Sequence, residues 1–274
     1  MTSHRLAACS WSLRPRNPDQ LIELARRTGL NAVQLALSPI VAEPSVWGGT
    51  VGALGEAGIT ILSGMMQTAG EDYSTLQTIA RTGGVRPDGT WPANEVHAAA
   101  VADLAAAAGI RLVTFHAGFI PEDTGDPERV KLLRRLRIIA DLLGERDLRL
   151  GLETGQETAD TLLDALGELD RPNVGVNFDP ANMVLYGKGD PVDALRKLAP
   201  RVVQIHIKDA LPAETSGSWG TEVPVGQGCV DWPAFFATAL AIDPPVDLII
   251  EREAGDDRLS DIRAAVELVE SSLP

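Results

Sequence analysis

Cysteine is nearly missing from this chain of 274 residues, which holds only Cys9 and Cys229, far apart and outside any CxxC pair. Two cysteines cannot build a disulfide framework, and without paired thiolates a structural zinc centre is not expected, so both read as ordinary thiols. Histidine is scarce as well, with four in the whole chain. No apolar run reaches the roughly 18 to 20 residues that a membrane span requires, so no membrane partner is expected. The opening MTSHRLAACSWSL carries no secretory apolar core ahead of a cleavage site, which sets the expectation of a cytoplasmic location. Positive charge is short: 24 Lys and Arg stand against 38 Asp and Glu, for a formal net charge of −14. That balance repels phosphodiester backbones and argues against nucleic acid as a partner. Its plainest consequence is solubility.

Hydrophobic residues make up 45% of the chain and charged residues 23%, the balance of a globular protein, and α/β barrels commonly reach this length around a single core. Strand-like and helix-like segments alternate throughout. Strand readings fall at 5–13, 32–37, 59–66, 111–118, 149–155, 174–179, 202–209 and 246–253. A first helix is read with Asp19 as its cap and Gly29 just past its end. Further helices are read at about 93–108, 126–146, 158–169, 190–198, from near Asp231 with Pro233 in the first turn, and at 258–272. The segment 50–57 stays undecided. Eight alternations with nearly continuous Val, Ile and Leu strands predict a (β/α)8 TIM barrel forming a single domain over 1–274. No GxGxxG or GxxxxGK[ST] follows any strand, which disfavours the open doubly wound sheet. The loops 80–93 and 210–230 are long enough to serve as lids.

Barrel chemistry collects at the C-terminal ends of the strands. Four of these strands end in a residue able to bind a divalent metal: LGLE at Glu153, VGVNFD at Asp179, VVQIH at His206 and LIIE at Glu251. Alternation along a strand puts Gln204, His206 and Lys208 on one face, into the barrel mouth. Each carboxylate alone reads equally well as a solvated strand end or, for Asp179, a helix cap. Together they would repel and desolvate one another unless a cation or shared protons relieve them. Three oxygens and one nitrogen without thiolates suit Mn²⁺ or Mg²⁺ first, with Zn²⁺ and Co²⁺ as alternatives. One such ion would leave coordination positions for a substrate carbonyl and hydroxyl.

The segments ETG at 153–155, NFDPANMVLYGKGDP at 177–191, HIKD at 206–209, VPVGQGCVDWPAFF at 223–236 and LIIERE at 248–253 resemble the sugar phosphate isomerase/epimerase family of xylose isomerase-like TIM barrels. The resemblance implies that Glu153, Asp179, His206 and Glu251 bind one divalent metal ion, and that Glu153 and Glu251 act as acid and base through an enediolate. It implies a small carbohydrate substrate, and barrels of this type often assemble as dimers or tetramers. This chain departs from the family pattern in having Asn182 where many members have His, Gln34 where many have Glu in the second strand, and Gln227 where many have Glu in the GxG loop. An amide can hydrogen-bond but cannot shuttle a proton.

His116, Asn182, Lys208 and Trp11 are the expected substrate contacts. His116 has the plainer alternative of a buried core histidine and Trp11 that of simple packing, while Lys208 reads equally as binding a substrate oxygen or a carboxylate. Asp209 has the wrong parity for the site and reads as a loop anchor, while Arg252 reads as a structural ion pair at least as readily as a contact to an anionic substrate. His4 and His97 are not expected to take part. Trp232, Phe235 and Phe236 pack either in the core or at an interface. No Arg or Lys cluster accompanies GQG at 226–228, so a phosphate handle is not supported. The leading functional expectation is a metal-dependent isomerase or epimerase of a sugar or polyol ketone. A lyase on the same scaffold is the alternative, of the inosose or 3-dehydroshikimate dehydratase or 3-keto-glycoside eliminase type. A non-catalytic sugar-binding barrel ranks lower, and a multi-zinc DNA-repair nuclease is disfavoured by the four histidines and the acidic charge.

Overall fold

Helix starts in this chain are written by short polar side chains followed by proline. In the computed structural model, which describes residues 4–215 and 217–273, Asn17 rather than Asp19 caps the first helix, its side chain accepting from the Gln20 amide with Pro18 in the opening turn. The same device recurs at Asp126, Asp179, Asp190 and Asp231.

The strands are β1 (Leu6–Cys9), β2 (Ala32–Ala36), β3 (Thr60–Met65), β4 (Leu112–Phe115), β5 (Arg149–Glu153), β6 (Val174–Phe178), β7 (Val202–Ile207), β8 (Asp209–Leu211), β9 (Thr221–Val223) and β10 (Asp247–Ile250). Helices α1 (Pro18–Arg27), α2 (Ser38–Ala42), α3 (Pro44–Trp47), α4 (Thr50–Glu56), α5 (Leu76–Thr82) and α6 (Trp91–Ala107) belong to the first half. Helices α7 (Pro127–Gly144), α8 (Ala159–Leu169), α9 (Pro180–Leu185), α10 (Pro191–Leu198), α11 (Trp232–Ala239) and α12 (Arg258–Ser272) belong to the second. Eight strands close in the order β1-β10-β7-β6-β5-β4-β3-β2, every neighbour parallel, while β8 and β9 form a separate antiparallel hairpin. The predicted barrel is therefore present as one domain.

Several boundaries differ from the sequence reading. The first strand stops at Cys9, because the chain then turns tightly: Ser12 N donates to the Cys9 carbonyl at 3.2 Å and Arg14 N to the Trp11 carbonyl at 3.2 Å. The undecided segment 50–57 is helix α4, whose Gly52 and Gly55 weaken its helical signature. The loop read at 80–93 is shorter, since α5 runs to Thr82 and α6 begins at Trp91. The loop read at 210–230 contains the β8–β9 hairpin.

The outer faces of the strands and the inner faces of the helices form one apolar layer. Leu150, Val176 and Ile205 of the barrel lie in the same cluster as Leu136, Leu166, Leu195 and Ile262 of the helices. Trp232, Phe235 and Phe236 are buried in that layer too, which settles them as core. A smaller cluster of Ala7, Cys9, Ala32, Leu62, Met65 and Ile249 packs apart from it. Cys9 is wholly buried, and burial pushes its thiol far up, so it stays protonated.

Gln34, Ser63, Thr114, Asn177, Gln204 and His206 are buried with no exposed surface. Hydrogen bonds link them, with His206 Nε2 set between Asn177 and Gln34. Ser63 Oγ donates to Gln204 Oε1 at 2.5 Å, Gln204 Nε2 to Asn177 Oδ1 at 3.0 Å, and Gln34 Nε2 to Thr114 Oγ1 at 3.1 Å. A continuous buried polar network of this kind fixes side-chain orientation as an apolar filling could not.

Candidate metal centre

Four strand ends deliver polar side chains to one point. Glu153 ends β5, Asp179 follows β6 as the cap of α9, His206 lies in β7 and Glu251 follows β10. One ligand atom from each lies within 4.8 Å of the others, and all four residues are buried. His206 Nδ1 stands 3.2 Å from Glu251 Oε2, 3.5 Å from Glu153 Oε1 and 3.8 Å from Asp179 Oδ2. The local sequence explains the placement. Thr154 Oγ1 accepts from the Asp179 amide at 2.8 Å, stapling the end of β5 to that of β6. Gly155, at φ +128°, passes so close to Asn182 that a Cβ would meet the Asn182 Cβ at 2.3 Å, which only glycine tolerates.

The residues fit a divalent ion. Asp179 Oδ2 and His206 Nδ1 are both buried without a hydrogen-bond partner, although such atoms are rarely left unpaired. His206 Nε2 lies between Gln34 Oε1 at 3.0 Å and Asn177 Nδ2 at 3.1 Å, which together hold the ring. In the tautomer that donates from Nε2 to Gln34, the lone pair of a neutral ring sits on Nδ1, facing the carboxylates, as a metal ligand requires. Burial by itself would lower the His206 pKa, but the Glu251 and Glu153 charges outweigh it and raise it well above the usual imidazole value. The cluster calls for a cation, and a proton on His206 supplies one when no metal does. Burial likewise opposes ionisation of Glu251, yet Lys208 and His206 hold its carboxyl well below the usual range.

Lys208 is buried, its Nζ 3.0 Å from Glu251 Oε2, 2.5 Å from Glu253 Oε2 and 3.6 Å from Asp179 Oδ2. It is spent on these carboxylates and does not line the cavity above. Asn182 Nδ2 donates to Glu153 Oε1 at 3.1 Å, and His116 Nε2 lies 3.3 Å from the same oxygen. Burial pulls the His116 pKa down, but the charges of Glu153, Glu71 and Glu253 together bring it above the usual value. Asp209 is the anchor its parity predicted. Its carboxylate accepts from the amides of Ala210, Gly226, Gly228 and Val230 and from Trp232 Nε1. Two of the GQG amides are thereby occupied, which removes them as phosphate donors. Arg252 pairs with Glu222 at 2.7 Å and Asp261 at 2.8 Å, as expected of a structural ion pair.

A cavity of about 510 Å³ opens above the cluster, within the usual range for small-molecule sites. Trp11, His116, Asn182, Glu153 and Glu251 line it, whereas Asp179 and His206 are sealed beneath. Several lining residues went unread in the sequence. Tyr186 and Trp219 form an aromatic wall with ring centroids 4.9 Å apart, Tyr73 lies 6.5 Å from Trp219, and Arg14 and Arg258 complete the rim. Glu253, also at the rim, shares strand parity with Glu251, a signal that could have found it. No such signal marks the loop residues.

Comparison with known proteins agrees with this architecture. A protein from Planctomyces limnophilus, solved as a xylose isomerase domain protein, superposes with a TM-score of 0.84 at 34% identity over 92% of this chain and 91% of its own. The D-allulose 3-epimerase of Methylomonas sp. shares the fold, with a TM-score of 0.73 at 16% identity over 100% of this chain and 99% of its own. The 3-dehydroshikimate dehydratase of Bacillus anthracis is 34% identical over 96 residues, a match that spans only 34% of either chain. The family model described as xylose isomerase-like TIM barrel matches residues 22–272, nearly the whole chain. With the closed barrel and its acidic strand ends in place, this chain belongs to the xylose isomerase-like TIM barrel family.

Proposed function

We propose that this protein is a divalent-metal-dependent isomerase or epimerase of a sugar or sugar derivative, working by proton transfer at the carbon beside a carbonyl. One observation carries the reading: Glu153 and Glu251 face one cavity from strands three steps apart in the ring, over the orphaned Asp179 Oδ2 and His206 Nδ1. The four residues would hold one ion, Mn²⁺ or Mg²⁺ by the hardness of the oxygen-rich set. When bound, such an ion polarises a carbonyl oxygen and so acidifies the neighbouring C–H.

The remaining work belongs to the chain's own side chains. Glu251, kept ionised by Lys208, is suited to accept a proton. Glu153, which accepts from Asn182 and lies against His116, is suited to return one from another side. The aromatic wall of Tyr186 and Trp219 excludes water from the reacting carbon and offers a flat face to an apolar side of the substrate. Trp219 Nε1 is buried without a partner and is free to donate to a hydroxyl.

A second reading, dehydration, draws on the relative named 3-dehydroshikimate dehydratase. Both reactions begin with the same proton abstraction and differ in whether water then leaves. Metal analysis of the purified protein should find about one divalent ion per chain, lost in Glu153→Gln and His206→Asn. Incubation with D-allulose or 3-dehydroshikimate in deuterated buffer, followed by NMR, separates the outcomes. Deuterium entering carbon with no loss of water supports the first reading; an unsaturated product replaces it with the second. A protein that binds no Mn²⁺ and exchanges no hydrogen defeats both.

A further inference from the structure

Two arginines at the cavity rim form no ion pair among the described residues. Arg14 follows β1 and Arg258 opens α12, and both line the cavity that Glu153 and Glu251 face. Among the described residues neither guanidinium forms an ion pair, and Arg258 Nε is buried with no hydrogen-bond partner. Acids outnumber bases in this chain by 38 to 24, and nine of the other eighteen arginines pair with a carboxylate, Arg252 with both Glu222 and Asp261. Both guanidiniums line one cavity, and burial acts with the like charge of Arg14 to pull Arg258 below its ordinary pKa, against the raising charges of Glu222 and Glu253.

The scaffold nevertheless holds them there. The turn after β1 carries Arg14 in the left-handed region at φ +48°, a conformation that disfavours non-glycine residues and recurs at functional sites. Ser12 Oγ in the same turn accepts from the Arg252 amide at 2.9 Å, binding that turn to the end of β10. Arg252 Nε donates in turn to Asp261 Oδ2 at 2.8 Å, which fixes the first turn of α12, where Arg258 sits. The rim acids that could have neutralised the pair are engaged elsewhere. Glu71 Oε1 accepts from Thr68 Oγ1 at 2.8 Å and from the Gly84 amide at 3.1 Å, and Glu253 is held by Lys208 at 2.5 Å.

We propose that Arg14 and Arg258 form an anion subsite, so that the substrate is an oxo-sugar or polyol ketone carrying a terminal carboxylate or phosphate. The assignment rests on the four-residue cluster being the reacting centre. It places the reacting carbon over Glu153 and Glu251 and the anionic end toward the β1–β10 seam. Guanidinium groups suit such an end because their paired N–H donors match the oxygens of either anion.

Calorimetric titration of the Mn²⁺-loaded protein with D-fructose, D-fructuronate and D-fructose 6-phosphate tests it on three ketoses that differ at one end. At least one anionic ketose should bind about tenfold more tightly than D-fructose or better, and whichever does identifies carboxylate or phosphate. Arg14→Gln and Arg258→Gln should each erode that advantage, and the double variant should bring it to about unity, with Mn²⁺ affinity unchanged. Equal affinity for charged and neutral ketoses, no binding of either anion in the millimolar range, or an advantage that survives in the double variant overturns the subsite. Mn²⁺ binding is titrated separately. If the ion does not bind, the metal reading fails, and the same titrations on metal-free protein still decide the arginine pair.

Discussion

Glu157 shows how much a single buried carboxyl can govern. It lies just past the Glu153 loop, 5% exposed, and burial pushes its pKa up to about 8 despite the opposing charges of His116 and Lys188. Its folded pKa is raised above the unfolded value, so the unfolded chain releases the proton first. Stability therefore falls as pH rises from about 4.5 to about 8, by up to about 1.4 kcal/mol per pH unit, and the penalty stays constant above that window. Glu157→Gln, neutral at every pH, should raise the melting temperature at pH 9 by several degrees and leave it unchanged near pH 4. Equal melting shifts at both pH values would contradict a neutral Glu157. At the same scale, parity along β7 identified His206 and Lys208 from sequence, because side-chain alternation is a local property of an extended chain. The fate of Lys208 was not legible: its partner Glu253 follows another strand, β10, and only barrel closure sets their separation at 2.5 Å.

Among the elements, the segment from β8 to α11 depends on one carboxylate. Asp209 is fully buried and accepts from four backbone amides and one indole, which makes it the organiser of residues 224–232. Gly228 belongs to this arrangement, since a Cβ there would fall 2.0 Å from Asp209 Oδ1. Asp209→Ala leaves several of these donors buried and unmatched, and the expected loss of stability is about 3 kcal/mol or more by denaturant titration. A loss below about 1 kcal/mol would mean that water replaces the carboxylate without penalty. Its role as an anchor was readable because its parity excluded it from the barrel mouth. The rim residues Arg14, Trp219 and Arg258 were not, because they sit on turns, loops and a helix start whose paths follow from contacts such as Ser12 with Arg252, between residues 240 positions apart. Repetitive strand and helix periodicity made the eight units visible; the short α2, α3 and α4, rich in glycine and proline, lack that periodicity.

Across the whole molecule, a net charge of −14 accompanies three carboxylates and one imidazole concentrated at one buried point, the site proposed to hold a divalent ion. An ion that binds the folded chain alone stabilises it by about 2.7 kcal/mol at a concentration of 100 Kd. Adding Mn²⁺ to metal-free protein should thus raise the melting temperature by several degrees, and the shift should vanish in Asp179→Asn. A matching rise in that variant would trace the effect to diffuse screening of surface charge. Among the described residues no helix is long and apolar enough to cross a membrane.

The β1–β10 seam has a consequence for the order of events during synthesis. Glu153 and Asp179 leave the ribosome well before His206 and Glu251, and β10 can find β1 only once synthesis has passed Ile250. A nascent chain therefore carries half a site, open to water and lacking its imidazole. An ion held by all four residues, as proposed, would be captured only by the closed barrel, so that loading with the ion would report complete folding.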